Sequence, residues 1–392
     1  MTEKQVILYG ANWCPDSQRV KHWLGEHDIN YTWKNVDDGQ EIVDEMLTKV
    51  DGTHITPVLD VDGEAMTNPD EAKLDELFNG DKESVKYHDV IAIGAGPTAL
   101  AAAIYTTRED IDTVLIEKGV IGGLAAVTDM IDNYPGFEEG VEGMTLAQSL
   151  EKQAERFGAQ IELAEVQEIR DEGQYKKIVT NDGIYAAKAV LIATGSDYKR
   201  LNAPGEEEFY GRGVHFCATC DGAFYRDKRL VVVGGGNSAA QEGMFLTKFA
   251  SHIDMLVRGD HLKASDVLVK NIENNDKITI HFNTTTDEIV GKDGKVVAVK
   301  GTDKTSGEVK EFATDGVFVF IGLKPNTGFL KGSGIEMDEI GFIKTDKTLE
   351  TNIPGIFCAG DVRAGATQQI ASAVGEGATA ALMIREYLEE QG

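Results

Sequence analysis

Two glycine-rich turns, each set between an apolar run and a stretch of small residues, constrain this chain most. The first lies in HDVIAIGAGPTALAAAIYTTR, where Gly94, Gly96 and Ala99 form a G-x-G-x-x-A pattern. The second lies in RLVVVGGGNSAAQEGMFLTKF, with Gly234, Gly236 and Ala239 in the same spacing. Each reads as strand, tight turn, helix. The glycines let backbone turn sharply and approach a pyrophosphate, and the helix N-terminus stabilises that anion. Two such units predict an α/β protein with two nucleotide-binding regions. They imply two dinucleotides, or a flavin and a nicotinamide.

The strand after each turn refines this. TVLIE ends at Glu117, where an acid would hold a ribose hydroxyl. In the second unit the corresponding position is Val257, followed by Arg258 and then Lys263. A missing acid and two cations favour a ribose 2′-phosphate, hence NADPH over NADH. Asn237 and Ser238, which open the second helix, are counted with the NADPH ligands.

Four cysteines are present: Cys14, Cys217, Cys220 and Cys358. That is too few for a disulfide scaffold in 392 residues. Cys217 and Cys220 form a C-x-x-C pair, which reads as redox or zinc. Zinc wants four ligands, and no second C-x-x-C exists, so redox is preferred and no metal is expected. Asp221 follows directly and could pass a proton to a leaving thiolate. Apolar residues make up 42% and charged ones 27%, as in a soluble globular protein. The net charge of −28 repels phosphate backbones and anionic lipid, so nucleic acid and membrane are not expected partners. The N-terminus lacks a basic segment followed by an apolar one, and no apolar run reaches the roughly 18 residues of a bilayer span. A cytoplasmic protein is expected.

Residues 1–79 read as a separate unit: strands QVILYGA, NYTWKNVD and ITPVLDVDG alternate with helices PDSQRVKHWLGEHDI, GQEIVDEMLTKV and NPDEAKLDELF. The β-α-β-α-β order suggests a thioredoxin-like fold. Residues 80–87, GDKESVKY, are the expected linker, with a reach of at most roughly 26–29 Å. Cys14 stands between the first strand and first helix, where the helix dipole stabilises a thiolate. Thr56-Pro57 precedes the third strand as a candidate cis-proline.

The motifs together are specific. Residues 88–392 resemble the low-molecular-weight thioredoxin reductases along their whole length. The resemblance rests on GAGPTALAAAIY, Ile121–Gly123, Asn133–Phe137, Ala193–Ser196, PGEEEFYGRGVHFCATCDGAFY, VVVGGGNSAAQEG, FIGLKPNT, Cys358–Val362 and Gly375–Gly377. It implies two Rossmann-like three-layer domains: a flavin domain split into 88–202 and 325–392, around a nicotinamide domain at 203–324. It further implies FAD held by Gly94, Gly96, Ala99, Glu117, Gly123, Asn133, Gly360, Asp361 and Gln369. Electrons would pass from NADPH to FAD to Cys217–Cys220, in a homodimer. Several positions depart from the family pattern. Its basic cluster is reduced to Arg258 and Lys263. Gln368 stands for an arginine, Leu124 for a glutamine, and Cys358 for an alanine.

Residues 1–79 resemble the glutaredoxins, and the mycoredoxin-like branch best through Thr67-Asn68-Pro69-Asp70. Ser17 occupies the place of a second cysteine, so the site is monothiol and needs another thiol to resolve a mixed disulfide. Three readings follow. In the first, Cys217 and Cys220 resolve a Cys14 mixed disulfide with a small thiol or protein. In the second, the enzyme reduces a separate thioredoxin, glutaredoxin or peroxidase, and the N-terminal domain is a docking adaptor. In the third, the chain is a redox-sensing binding module.

Overall fold

The computed structural model describes residues 4–50, 52, 55–78, 85–128 and 130–391. The chain divides into two compact units, 1–127 with 143–195 and 325–392, and 128–142 with 196–324.

The first unit opens with β1 (Val6–Gly10), α1 (Pro15–Glu26), β2 (Thr32–Asn35), α2 (Gln40–Lys49), β3 (Val58–Val61), β4 (Glu64–Thr67) and α3 (Glu71–Phe78). Its sheet runs β2-β1-β3-β4, with β1 parallel to β2 and antiparallel to β3. No strand was expected between ITPVLDVDG and the third helix, and β4 lies there. Glu64 and Thr67 are exposed and carry no apolar run to mark an edge strand.

Next come β5 (Lys86–Ile93), α4 (Pro97–Thr107) and β6 (Thr113–Glu117). β5 lies between β6 and the strand Gly183–Ile192, parallel to both. Ile356–Cys358, from the far end of the sequence, adds a parallel strand beside Gly183–Ile192. The alanines of α4 let the last helix, Ile370–Gln391, approach closely. A Cβ on Gly377 would come 2.2 Å from the Thr98 carbonyl oxygen.

The expected linker at 80–87 does not run to its end as one. Lys86 already begins β5, and Val85 and Tyr87 are buried; residues 79–84 lie outside those described. The cause is a shared core. Leu8, Val20, Trp23, Leu24 and Leu59 of the N-terminal segment cluster with Val85, Tyr87, Tyr175 and Ala186. Gly25 of α1 makes the contact possible, since an added Cβ would sit 2.2 Å from the Tyr87 ring. Polar groups pin the same junction. Gln174 exchanges two hydrogen bonds with the Tyr31 backbone, and Tyr175 donates to the Ile29 carbonyl at 2.8 Å. The Lys21 ammonium lies 3.9 Å over the Trp33 ring, and that of Lys188 4.2 Å over the Tyr31 ring. Burial, reinforced by Lys21, pushes the Lys188 ammonium down to about 7, with Asp89 opposing. His22 of α1 and His88 of β5 converge on Asp112 at 3.3 and 2.8 Å. Burial opposes ionisation of that carboxyl, yet these two partners hold it well below the usual carboxylate range.

The second unit carries a five-stranded parallel sheet in the order Val214–His215, Gly316–Val319, Arg229–Val233, His252–Leu256, Ile278–His281. Three antiparallel strands between Glu288 and Ala313 follow. Among the described residues, no helix is long and apolar enough to cross a membrane.

Candidate active sites

The first glycine turn is built for close approach. Gly94 has φ +102°, and a Cβ there would come 2.7 Å from the Ala193 carbonyl oxygen. Gly96 caps α4 without a side-chain cap, and a Cβ on it would meet nothing within 4 Å. Open space beside Gly96 and a helix start without a side-chain cap are what a phosphate site requires, and Pro97 at the first helical position has no N–H to leave unpaired. Buried Ala99 lets the helix lie close to the sheet. Glu117 accepts from the Ala95 amide through one oxygen and from the Gly119 amide through the other, both at 2.7 Å. Gly123 packs beside the turn, its would-be Cβ 3.7 Å from Gly96 Cα.

From the C-terminal part, Gly360 (φ +76°) approaches Thr98, so that a Cβ would lie 2.3 Å from its hydroxyl. Burial, with the charge of Glu376 added, lifts the Asp361 carboxyl to about 6. Glu376 is a residue that sequence reasoning missed. It accepts the Gly360 amide at 2.8 Å and pairs twice with Arg363, at 3.0 and 2.5 Å. Its signal was the GEG run, quoted only as a motif. Gln369 stands just before the last helix, where its carbonyl accepts from Ala373. Leu124 is partly exposed. Gly94, Gly96, Ala99, Glu117, Gly123, Gly360, Asp361 and Gln369 thus belong to the first unit, whereas Asn133 lies on the 128–142 segment of the second. The glycine cradle and uncapped helix fit a dinucleotide such as FAD.

The second turn repeats the device. Gly234 has φ +143°, and a Cβ would sit 2.3 Å from the Phe320 carbonyl oxygen. Gly236 caps the helix Asn237–Leu246, again without a side-chain cap and with nothing near its would-be Cβ. Asn237 is held by the Ser265 amide at 2.9 Å, and Ser238 is exposed. Val257 is buried against Gly235, while Arg258 and Lys263 are exposed. The Lys263 amide donates to the Gly235 carbonyl at 2.6 Å, which ties this cation to the glycine turn. These residues fit a phosphorylated nicotinamide nucleotide.

Cys217 and Cys220 are joined in a disulfide, with Cα atoms 5.4 Å apart. Cys217 caps the short helix Ala218–Asp221, and its sulfur accepts from the Cys220 amide at 3.2 Å. Asp221 lies at the end of that turn, its amide bonded to the Cys217 carbonyl and its carboxylate 3.2 Å from His215 Nδ1.

In the N-terminal region, Cys14 caps α1 and is 8% exposed. The Thr56–Pro57 bond is cis. Thr56 donates its hydroxyl to the Cys14 sulfur at 3.6 Å. Burial works to raise the Cys14 thiol, but hydrogen bonds from Ser17, Thr56 and the Asp16 amide outweigh it and leave the thiol below its ordinary value. Trp13 is 67% exposed beside it and donates to Asp37 at 2.7 Å. Cys358 is the opposite case: wholly buried, its thiol is pushed far up by desolvation and has no access to chemistry. Among the described residues, no group of three or more His, Cys, Asp or Glu is placed to hold a metal.

Comparison with known proteins accounts for both parts of the chain. The family described as Pyridine nucleotide-disulphide oxidoreductase matches residues 88–377, and the Glutaredoxin family matches residues 6–66. The thioredoxin reductase of Bacillus subtilis is 43% identical over 305 residues, 78% of this chain and 96% of that protein. The crystal structure of thioredoxin reductase from Streptococcus pyogenes matches with a TM-score of 0.74 at 41% identity, covering 78% of this chain and 99% of that one. Thioredoxin reductase from Giardia duodenalis matches with a TM-score of 0.74 at 32% identity, over 77% and 99% of the two chains.

Proposed function

Because this chain belongs to the thioredoxin reductases of the pyridine nucleotide-disulphide oxidoreductase family and carries a glutaredoxin domain, we propose that it reduces its substrate at Cys14 and regenerates that thiol with Cys217 and Cys220. Its class of reaction is NADPH-dependent disulfide reduction. When bound, NADPH would supply the hydride and FAD would pass the electron pair on to the disulfide. On this reading FAD would be held by Gly94, Gly96, Glu117, Gly360 and Asp361, with Gln369, and NADPH by Gly234, Gly236, Asn237, Ser238, Arg258 and Lys263.

The Cys14 thiolate attacks a disulfide R–S–S–R, releases one R–SH and keeps the other half as Cys14–S–S–R. Ser17 cannot resolve it. One thiol of the reduced pair attacks the Cys14 sulfur and expels the second R–SH. The other thiol then closes the Cys217–Cys220 bond and frees Cys14. Two electrons and two protons enter per disulfide, and two thiols leave. The supporting observation is the built Cys14 site: a thiol held below its ordinary value at a helix N-terminus and contacted by the Thr56 hydroxyl.

A second reading, reduction of a separate thioredoxin, draws on relatives that match over 96% of their own length through the C-terminal part of this chain. NADPH oxidation by wild type and Cys14→Ser, with small-thiol disulfides and with thioredoxin plus insulin, separates the two. Turnover of small disulfides by the wild type alone supports the relay. Equal activity of both proteins with thioredoxin, and none with small disulfides, overturns it in favour of the adaptor.

A further inference from the structure

The last helix and the turn before it meet through one carboxylate. Glu376 lies in the second turn of the helix Ile370–Gln391, and its side chain is 16% exposed. Its Oε2 accepts from the Gly360 amide at 2.8 Å and from Arg363 Nε at 3.0 Å, and its Oε1 accepts from Arg363 Nη2 at 2.5 Å. Arg363 is 20% exposed, and its third nitrogen, Nη1, donates to the Ala364 carbonyl at 3.1 Å. The backbone around Arg363 is fixed as well. Its amide donates to the Gly360 carbonyl at 2.9 Å, and Ile343 bonds the residues on either side, Val362 and Ala364, at 3.0 and 2.8 Å.

This turn carries Asp361 and lies against the start of α4. Gly360 and Gly377 both abut Thr98, the second residue of α4. A Cβ on Gly360 would come 2.3 Å from the Thr98 hydroxyl, and one on Gly377 2.2 Å from its carbonyl oxygen. Thr98 itself is buried. The place of Asp361 relative to the first glycine turn therefore follows from where Glu376 holds Gly360. The field of Glu376 also reaches the Asp361 carboxyl, and Arg363 is the cation paired with that charge.

We propose that Arg363 and Glu376 are positioning residues for the flavin: their ion pair fixes the Gly360–Asp361 turn against the start of α4 and so sets how tightly FAD is bound. The proposal rests on the reading of Gly360 and Asp361 as FAD ligands. Both oxygens of Glu376 and all three nitrogens of Arg363 have partners within the protein, so the pair acts through the turn and not by touching the cofactor. The two partners are not equivalent. Loss of Arg363 strands a largely buried carboxylate whose field acts on Asp361, which is the costly way to break such a pair. Glu376→Gln removes the charge and keeps an oxygen for the Gly360 amide, which is the milder change.

The test titrates the full-length apoprotein with FAD, followed by flavin fluorescence, and records the melting temperature of each apoprotein beside it. Arg363→Met should weaken FAD binding about tenfold or more, and Glu376→Gln by less. Arg363→Met combined with Glu376→Gln should bind FAD more tightly than Arg363→Met alone, because the stranded carboxylate is gone. Wild-type affinity in Arg363→Met, or a double variant no tighter than the single one, overturns the proposal. So does a loss of affinity that merely follows a fall in melting temperature and adds up in the double variant, since the pair would then only brace the fold. Asp361→Ala tests the underlying reading separately and should weaken FAD binding with the pair intact. If it binds FAD as the wild type does, that reading fails and the proposal with it. If it loses FAD while the pair variants do not, the positioning role alone fails.

Discussion

At the scale of single residues, Cys14 and Cys358 differ only in their neighbours. Both are buried, but hydrogen bonds favour the thiolate at Cys14, whereas desolvation dominates at Cys358, with Arg363 opposing it and Glu376 adding to it. Alkylation of the native protein at neutral pH should therefore modify Cys14 and spare Cys358. Thr56→Val removes one of the thiolate's partners and should slow labelling of Cys14 at neutral pH, with the difference vanishing at alkaline pH where the thiol is ionised anyway. At the second glycine turn, Arg258→Ala combined with Lys263→Ala should raise the KM for NADPH about tenfold or more and leave NADH unchanged. An equal effect on both nucleotides would show that these cations do not read a 2′-phosphate. Residue spacing made Cys14, Cys217, Cys220 and the glycines legible, because each must stand at a fixed place in a turn. Glu376 and Arg363 were not legible as partners, since their contacts form only when separate elements meet.

At the scale of elements, α1 serves two purposes. Its N-terminus presents Cys14, and its C-terminal half carries Gly25 onto Tyr87. In an exposed helix Gly→Ala would stabilise by about 0.8–1 kcal/mol. Here the new methyl would meet a buried ring, and overpacking of that kind costs about 1–3 kcal/mol. Gly25→Ala should thus lower the denaturation midpoint, and a rise would mean the junction opens freely. Lys188 gives the junction a pH signature. Its ammonium titrates near about 7 when folded and at 10.5 in its ordinary state. Below the lower value both states bind the proton and the folded protein bears the full burial penalty. As pH rises through this window the unfolded chain holds more protons, so stability increases. Lys188→Met should raise the midpoint most on the acid side of neutrality, and its advantage over wild type should shrink as pH rises toward the upper value. A constant advantage at every pH would assign the effect to packing alone.

At the scale of the molecule, the glutaredoxin segment is not a body on a string. It shares a core with the sheet that carries the first glycine turn, and 1–79 falls in the same compact unit. Calorimetry should show this segment unfolding together with the rest of that unit. Trp23→Ala, placed in the shared core, should shift that transition as a whole. Independent melting of an N-terminal domain would contradict the shared core.

The sequence by itself determined the α/β class, both glycine turns, the thiol positions and the family, because these follow from local rules of turn geometry, alternation and spacing. It read 80–87 as a linker because GDKESVKY is polar, and polarity is a local property. Only the tertiary structure decided that Tyr87 is buried, that Gly25 is a contact, and that Lys21, Lys188 and Asp112 meet partners from distant segments. The physical reason is that burial and electrostatic pairing belong to surfaces brought together by folding, and no single stretch of chain records the partner it will face.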